Sequence, residues 1–311
     1  MEDTKFETKL QRYAIYSPKE INESPIDYIF DGLKLEMFGK GMQARTYKIK
    51  GKDWVVKEGR WDLDLSVLFG GSNIPFPATI TAKVMNLFSF TFLPDKKEIA
   101  YQYKMYLTFV KYFGYFRKDG RYFHPQRSLL LGEQKRIRDS LLDLKPKIEK
   151  KYKLKFNNKI DKILTSNHKY HNFLPKEYLL FGQSISPENK GKPTYFIVQE
   201  FIKGELLHDT ENEELSDQVL SQLIILIYLI LVMHMKDHLL PDTRPRYPLL
   251  EANDWLTKTD NIIVSKKRLT FIDTRWFWDT RGNFIKRGGI IPVQIIRLAK
   301  YYLTYLLDDV A

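Results

Sequence analysis

The chain of 311 residues contains no cysteine. Disulfide bonds and thiolate metal sites are therefore excluded, and a reducing, cytoplasmic setting is the expectation. The first residues show no apolar core preceded by basic residues, so a secretory signal is not expected. The longest apolar run, residues 223–233, is too short to span a bilayer and indicates a buried helix rather than a membrane span.

Acidic residues are fewer than basic ones, with 38 Asp and Glu against 50 Lys and Arg, a formal charge of +12. This balance favours anionic partners such as nucleotides, nucleic acid or acidic proteins, although a solvated lysine-rich surface explains it equally well. The densest basic run is Lys145–Lys155, with Tyr152 inside it and Phe156 beside it. That interleaving gives weak support to nucleic-acid binding. Apolar residues make up 43% of the chain, which is enough for a packed core.

A glycine-containing loop lies near the start of the chain. Gly39 and Gly41 form a Gly-x-Gly motif, and the residues before and after it alternate between apolar and polar, which is typical of strands. A dinucleotide-binding fold would place a helix after the glycines, so the second strand argues against that fold. A turn then leads to a third strand that carries Lys57. The predicted strands are 33–38, 46–50 and 54–58.

A second pattern lies between His234 and Trp276. Two apolar triplets, 262–264 and 270–272, flank a short basic turn and predict a β-hairpin. Asn261 precedes the hairpin and Asp273 follows it. Because a hairpin places its ends side by side, we expect an amide and a carboxylate to converge there. Oxygen ligands of this kind suit Mg²⁺.

Long helices are predicted elsewhere, at residues 94–113, 131–152 and 216–235. The third is apolar on nearly all faces, which is typical of a buried helix. Near its end, His234 and His238 have the i, i+4 spacing of some metal ligands. Roles in the core and at the helix end are the favoured interpretation, because no glutamate lies between them.

Together, these motifs resemble the protein-kinase-like superfamily, in particular its compact atypical branch of RIO-type, lipopolysaccharide-core and aminoglycoside-type kinases. Asp242-Thr-Arg-Pro245 is similar to the first half of the family's catalytic loop, and Asp273 to its metal-binding aspartate. No Ala-Pro-Glu signature follows Asp273, and only 38 residues remain after it, too few for a peptide-binding helical subdomain. The resemblance covers roughly residues 31–60 and 173–280.

The resemblance implies an α+β fold with two lobes. The expected N-lobe has an antiparallel β-sheet, and the expected C-lobe is small and mainly helical. The implied division is an N-terminal extension at 1–30, an N-lobe at 31–202 with a helical insertion at about 61–172, and a C-lobe at 203–311.

The resemblance also implies roles for individual residues. ATP would be bound by the glycine loop, by a strand lysine and by the main chain of a hinge; the positions are Gly39, Gly41, Ala44, Lys57, Glu200 and Ile202. Ala44 replaces the third glycine of the family's loop. Asn261 and Asp273 would hold Mg²⁺. The glutamate that pairs with Lys57 is either Glu98 or Glu133, and the sequence leaves both open.

The catalytic base is the least certain assignment. Asp242 is preferred because of the Arg-Pro that follows and because His234 lies eight residues ahead of it. The family spaces this aspartate and the asparagine by five residues, whereas Asn261 is nineteen residues after Asp242, so Asp254 is the alternative base. Arg244 and Arg246 in the intervening segment would suit an anionic acceptor.

The expected function is therefore ATP-dependent transfer of the γ-phosphoryl group to a hydroxyl of a small molecule or a protein. The alternative is a kinase-fold pseudoenzyme that binds nucleotide and acts as a binding module, with nucleic acid or an acidic protein as partner.

Overall fold

The computed structural model describes residues 2–17, 19, 21–40, 44–59, 96–115, 127–209, 216–241, 261–265, 267–272 and 277–279. These residues form an α+β protein with a five-stranded antiparallel sheet, as the sequence predicts. The described helices are α1 (Glu2–Tyr13), α2 (Ile26–Phe30), α3 (Lys96–Phe113), α4 (Arg127–Asp139), α5 (Leu141–Tyr152), α6 (Lys159–Thr165) and α7 (Asp217–Asp237). The described strands are β1 (Leu35–Lys40), β2 (Ala44–Ile49), β3 (Trp54–Gly59), β4 (Glu177–Gln183), β5 (Pro193–Glu200), β6 (Glu205–Leu206), β7 (Leu239–Pro241), β8 (Ile262–Ser265), β9 (Arg268–Phe271) and β10 (Phe277–Asp279).

The chain divides into two compact units, each made of two segments. The first unit comprises residues 1–104 and 175–201, and the second comprises 105–174 and 202–311. This division differs from the expected one, because residues 105–172 group with the C-terminal part of the chain. Backbone hydrogen bonds explain the grouping: the N–H of Phe173 donates to the carbonyl of Phe113, and the N–H of Phe271 donates to that of Phe173.

The first unit is built on the five-stranded sheet, whose strand order is β1-β2-β3-β5-β4. Helix α1 places Phe6 and Leu10 on one face, four residues apart, and both side chains are buried. With α2 they cover one face of the sheet, where the ring of Phe6 lies 6.0 Å from that of Trp54. Side chains from the predicted N-terminal extension at 1–30 therefore contribute to the core of this unit.

The second unit is organised around α7. Ser216 caps this helix by accepting a hydrogen bond from the N–H of Val219, and His238 ends it in a left-handed conformation with φ of 57°. Every residue from Gln222 to Met233 is buried within the protein. By length and composition α7 is also apolar enough to cross a membrane. Its burial matches the sequence prediction of a core helix.

The predicted helix over residues 131–152 is wrong in one respect, because the chain breaks at Ser140 into α4 and α5. The Ser140 hydroxyl donates to the carbonyl of Ile137, a local bond that competes with helical hydrogen bonding. Pro146 lies within α5 and has no N–H to donate. Apolar periodicity continues across the break, so the pattern alone suggests one helix.

Candidate functional site

Lys57 lies in the middle strand of the first unit's sheet. It pairs with Thr46 on β2 and with Ile197 on β5. Thr46 pairs in turn with Gly39 on β1. Because directly opposed residues of antiparallel strands project to the same face, Thr46, Lys57 and Ile197 share one face of the sheet, in the same row as Gly39.

This side of the sheet, which we call the Lys57 face, is defined by Thr46, Lys48, Val55, Lys57 and Ile197. Val55 and Ile197 are buried, so other parts of the chain cover some of this face. It is the face opposite the one covered by α1 and α2, because side chains alternate along each strand. Lys57 is half-buried, so its ammonium group is not withdrawn into the core. A lysine at such a position is able to neutralise an anionic group placed against this face.

Gly39 lies where the pairing of β1 with β2 is irregular. The register shifts between Met37 and Gly39, so Phe38 is an extra residue in the ladder, as in a β-bulge. Apart from Gly39 and its two neighbours in the chain, no atom of the described residues lies within 4 Å of the position that a Gly39 Cβ would occupy. The backbone is thus approachable beside Lys57. Ala44 begins β2 opposite Gly59, whereas Gly41 lies outside the described residues.

The predicted hinge begins where β5 ends at Glu200. The Glu200 N–H donates to the carbonyl of Lys176, and the Phe201 N–H donates to the carbonyl of Asp53, at 2.8 and 2.9 Å. The Lys176 N–H reaches the Glu200 side-chain oxygen Oε2 at 3.3 Å. Two of the hinge donors are therefore engaged inside the first unit.

Sequence reasoning missed an aromatic group beside this hinge. The ring of Phe38 lies edge-on to that of Phe201, with 6.0 Å between centroids. The Lys48 ammonium lies 4.2 Å from the Phe201 ring centroid, within the range of a cation–π contact. Phe38 is 61% exposed. An exposed phenylalanine directly before a Gly-x-Gly motif is the signal that would have identified it.

A buried amide on the same side of the sheet was also missed. Gln199 pairs with Val55, which places it on the Lys57 face. It is 1% exposed, and neither its amide nitrogen nor its amide oxygen has a hydrogen-bond partner. The only feature of the sequence that points to this buried amide is a glutamine directly after the apolar residues of β5.

The predicted hairpin of the second unit is confirmed as β8 and β9. Its register pairs Ile262 with Phe271 and Ser265 with Arg268, around a two-residue turn. The N–H of Ile272 donates to the carbonyl of Asn261 at 2.9 Å, so the two ends of the hairpin lie side by side. Asp273 follows Ile272 directly in the sequence but lies outside the described residues.

A second strand pair in this unit was not predicted. β7 pairs with β10, and Pro241 lies opposite Phe277. Pro241 directly precedes Asp242, and Phe277 comes four residues after Asp273. The chain segments that carry both aspartates are thus joined by paired backbone. Asp242 and Asp254 lie outside the described residues.

The two candidate partners of Lys57 fall in different units. Glu98 belongs to α3, within the segment that groups with the first unit, as Lys57 does. Glu133 belongs to α4 in the second unit, where its side chain is half-buried. The side chain of Glu98 lies outside the described part of the chain.

The histidine pair at the end of α7 has roles in packing and at the helix end. His234 stacks on Tyr152, and its Nδ1 lies 3.0 Å from the Tyr152 hydroxyl. Burial lowers the pKa of His234 to about 4, and the positive charges of Lys151 and His238 contribute. His238 is the left-handed residue that ends the helix. Among the described residues, no group of three potential metal-ligating side chains occurs.

His171 is a second histidine in a buried, positively charged setting. Its Nε2 lies 3.3 Å from the carbonyl of Leu269. Burial lowers the pKa of His171 to about 4, against the effect of that hydrogen bond, and Arg268, Arg138 and His168 lower it further. Both His171 and His234 are therefore neutral in the folded protein at pH 7.

We expect the stability of the protein to fall as the pH decreases from about 6.5 towards 4. Both histidines have pKa values in the folded protein that lie below the value in the unfolded chain. Their contribution to the free energy of unfolding is therefore complete above pH 6.5, and it is lost at lower pH because protons bind the unfolded chain first. Between pH 7.5 and pH 5, the two histidines should lower the free energy of unfolding by roughly 2–4 kcal/mol. Urea unfolding at pH 7.5 and pH 5 measures the change.

The control is the double variant His171→Gln and His234→Asn. These amides retain hydrogen-bonding nitrogens near the positions of Nε2 and Nδ1 but do not titrate. In the variant, the difference in unfolding free energy between the two pH values should be smaller by the amount that the two histidines contribute. An unchanged difference would show that carboxylates alone determine the acid sensitivity.

Comparison of the chain with models of known protein families, with curated proteins and with solved structures gave no match. The function is therefore inferred from the chain's own residues and their geometry. The features of the first unit that carry the inference are Gly39, Lys57 and the hinge. Those of the second unit are the β8–β9 hairpin, which follows Asn261, and the β7–β10 pair, which contains Pro241.

Proposed function

We propose that the protein is an ATP-dependent phosphotransferase with a two-lobed, protein-kinase-like fold, in which each compact unit corresponds to one lobe. One observation carries the proposal: Lys57 lies in one row with Gly39, on the sheet face that α1 and α2 do not cover. A strand, a glycine loop and two further strands thus bring an approachable backbone and a cation together. Kinase sites use both of these features to hold phosphate groups.

In the proposed complex, Lys57 neutralises the α- and β-phosphates while the backbone from Gly39 through Gly41 to Ala44 covers them. The adenine lies against the main chain from Glu200 to Ile202. The N–H groups of Glu200 and Phe201 have protein acceptors, so we assign the adenine contacts to the carbonyl of Glu200 and the N–H of Ile202. The exposed ring of Phe38 then offers an apolar surface to the base.

The proposed metal site is at the open end of the β8–β9 hairpin. Asn261 and Asp273 offer amide and carboxylate oxygens, which are suitable ligands for Mg²⁺. The backbone hydrogen bond from the N–H of Ile272 to the carbonyl of Asn261 holds the two ends of the hairpin together. Bound magnesium would neutralise charge on the phosphate oxygens. The roles of the chain here are to hold these two side chains and to orient them.

The proposed base is Asp242, which would orient and deprotonate the acceptor hydroxyl. The pairing of Pro241 with Phe277 supports this choice, because it ties the segment that leads into Asp242 to the segment that follows Asp273. Asp254 remains the alternative base. For the partner of Lys57 we favour Glu98 over Glu133, since Glu98 and Lys57 belong to the same unit. The acceptor is a hydroxyl of a small molecule or a protein.

A second candidate function is a nucleotide-loaded binding module without phosphotransfer. The spacing of nineteen residues between Asp242 and Asn261 favours it, because the family separates the corresponding residues by five. The presence of a candidate base, Asp242, in addition to Lys57, Asn261 and Asp273 favours the enzyme, since a module that only holds nucleotide needs no base for an acceptor hydroxyl.

Titration calorimetry with ATP, with and without Mg²⁺, tests the proposal. We expect magnesium to strengthen binding and Lys57→Ala to weaken it by about 10- to 100-fold, the loss of a charge-assisted contact. Lys50→Ala is the matched control, because Lys50 is an exposed lysine that directly follows β2 and should leave the affinity within about twofold. Asp273→Ala should abolish the effect of magnesium.

Three results would contradict the proposal. They are absence of ATP binding by the parent protein, equal affinities of the Lys57→Ala and Lys50→Ala variants, and a magnesium effect that survives Asp273→Ala.

A further inference from the structure

The second unit carries a concentration of exposed lysines that the proposed phosphotransfer does not use. Seven exposed lysines lie within residues 147–162, on α5, on α6 and on the turn between them. We call this set the lysine surface; its members are Lys147, Lys150, Lys151, Lys153, Lys155, Lys159 and Lys162.

The fold of this segment turns the lysines outward. Helix α5 buries Leu144, Ile148 and Tyr152, which lie on one face at a spacing of four residues. The turn after α5 buries Leu154 and Phe156, so the alternating residues Lys153 and Lys155 are exposed. Ile160 and Leu164 are the buried residues of α6.

The carboxylates within residues 141–165 are too few to balance the charge of this surface. Of the three acidic residues in 141–165, Glu149 accepts a hydrogen bond from the N–H of Phe156 at 2.8 Å. Asp161 is paired with Lys145, which is not a member of the surface. Residues 141–165 contain eight lysines and three acidic residues, so the segment keeps a formal charge of +5.

Helix stability accounts for only part of the set. Lys150 and Lys151 lie in the last turn of α5, where cations are favourable because of the helix dipole. Lys159 is the first residue of α6, where a cation is unfavourable for the same reason, whereas Lys162 lies in the last turn of that helix. Helix stability therefore explains neither Lys159 nor the exposed lysines of the turn, Lys153 and Lys155, and a partner explains them more readily than folding.

We propose that the lysine surface binds the phosphate backbone of double-stranded nucleic acid without reading its sequence. A duplex carries about one negative charge per 1.7 Å of its axis, and lysines that neutralise phosphates release bound counterions. The seven exposed lysines match this dense charge, and the proposal stands independently of ATP binding.

Single-stranded nucleic acid fits the surface less well. Its binding depends on aromatic side chains that stack on the bases. Tyr152 and Phe156, the aromatic residues of this segment, are 8% and 4% exposed. The Tyr152 hydroxyl is bonded to the carbonyl of Leu231, and the Phe156 ring packs against that of Tyr228. Neither ring is available for stacking.

An acidic protein or a membrane also fits less well. Protein interfaces depend on anchoring residues such as tryptophan, tyrosine and arginine, and residues 143–165 expose none of these. Membrane surfaces are bound by apolar residues together with basic ones. Leu142, 39% exposed, is the one large apolar side chain exposed at the edge of this surface among the described residues.

The test compares two variants of equal charge. The first carries Lys147→Glu, Lys150→Glu and Lys162→Glu on the lysine surface. The control carries Lys5→Glu, Lys19→Glu and Lys190→Glu, three exposed lysines of the first unit. Fluorescence anisotropy with a labelled duplex of mixed sequence, at 50 and 200 mM KCl, gives the affinities.

We expect the parent to bind the duplex with strong salt dependence and the surface variant to lose at least about tenfold in affinity, while the control stays within about threefold. A variant with alanine at the same three surface positions should lower the salt slope by about 2 to 3, because each lost phosphate contact contributes about 0.9. Thermal unfolding checks that all variants are folded.

Four outcomes would overturn the proposal. The parent fails to bind the duplex; surface and control variants lose affinity equally, which would make net charge the only cause; single strands bind more tightly than the duplex; or polyglutamate competes as effectively as the duplex, which would identify an acidic protein as the partner.

Discussion

Asp242→Asn is expected to reduce ATP turnover by about two to four orders of magnitude while leaving ATP affinity nearly unchanged. The base acts on the acceptor hydroxyl, which is not part of the nucleotide, so its removal affects the chemical step and not binding. Asparagine has the size of aspartate but cannot take up the proton. Measurement of ATP consumption by parent and variant, with and without candidate acceptors, gives the ratio.

Asp254→Asn is the matched control for this experiment, because Asp254 lies in the same segment between Asp242 and Asn261. If Asp254→Asn causes the large loss and Asp242→Asn does not, the base is Asp254. Equal rates in the parent and both variants would remove the catalytic assignment. A parent that binds ATP and consumes none with any acceptor would identify the binding module.

Glu58→Ala is expected to destabilise the protein by about 3–5 kcal/mol, since Glu58 is a buried carboxylate at the centre of a polar network. Glu58 is fully buried. Its Oε2 accepts from the Tyr47 hydroxyl at 3.0 Å. Its Oε1 accepts from the Ser184 hydroxyl and from the N–H groups of Ile185 and Ser186. Without the carboxylate, these donors would be buried and unpaired.

Glu58→Gln should cost less, about 2–3 kcal/mol, because one amide oxygen still accepts while the amide nitrogen faces donors. Glu36→Gln is the control, since Glu36 forms exposed ion pairs with Lys34 and Lys50 and should change stability by less than about 1 kcal/mol. Urea unfolding gives all three values. Costs for Glu58 and Glu36 that agree within error would refute the structural role of the network.

The parts of the fold that sequence predicted are those with clear periodicity or turn chemistry. Strands β2 and β3, the β8–β9 hairpin and helix α7 lie within a few residues of their predicted positions. Helix α1 was missed because only Phe6 and Leu10 provide its apolar face. β7 and β10 have three residues each, too few to show alternation, and β7 ends in a proline.

The site was predictable where its residues follow a spacing motif. Gly39, Lys57 and Asn261 were selected on that basis, and the structure places Gly39 and Lys57 in one row. Glu58 was not selected, because a glutamate at the end of a strand resembles a surface charge until Ser184 and its neighbours are seen to enclose it. The roles of Asp242 and Asp273 stay predictions, since both lie outside the described residues.

The strand order of the first unit also has a consequence for how the protein is synthesised. β5 lies between β3 and β4, yet residues 105–174 of the other unit separate β3 from both along the chain. Until about residue 200 has left the ribosome, β3 has an unpaired edge, and such edges promote association with other chains. Fragments that stop short of β5 therefore lack the strand that completes their sheet, and expression of the first unit alone requires residues 175–201 to be joined to residues 1–104.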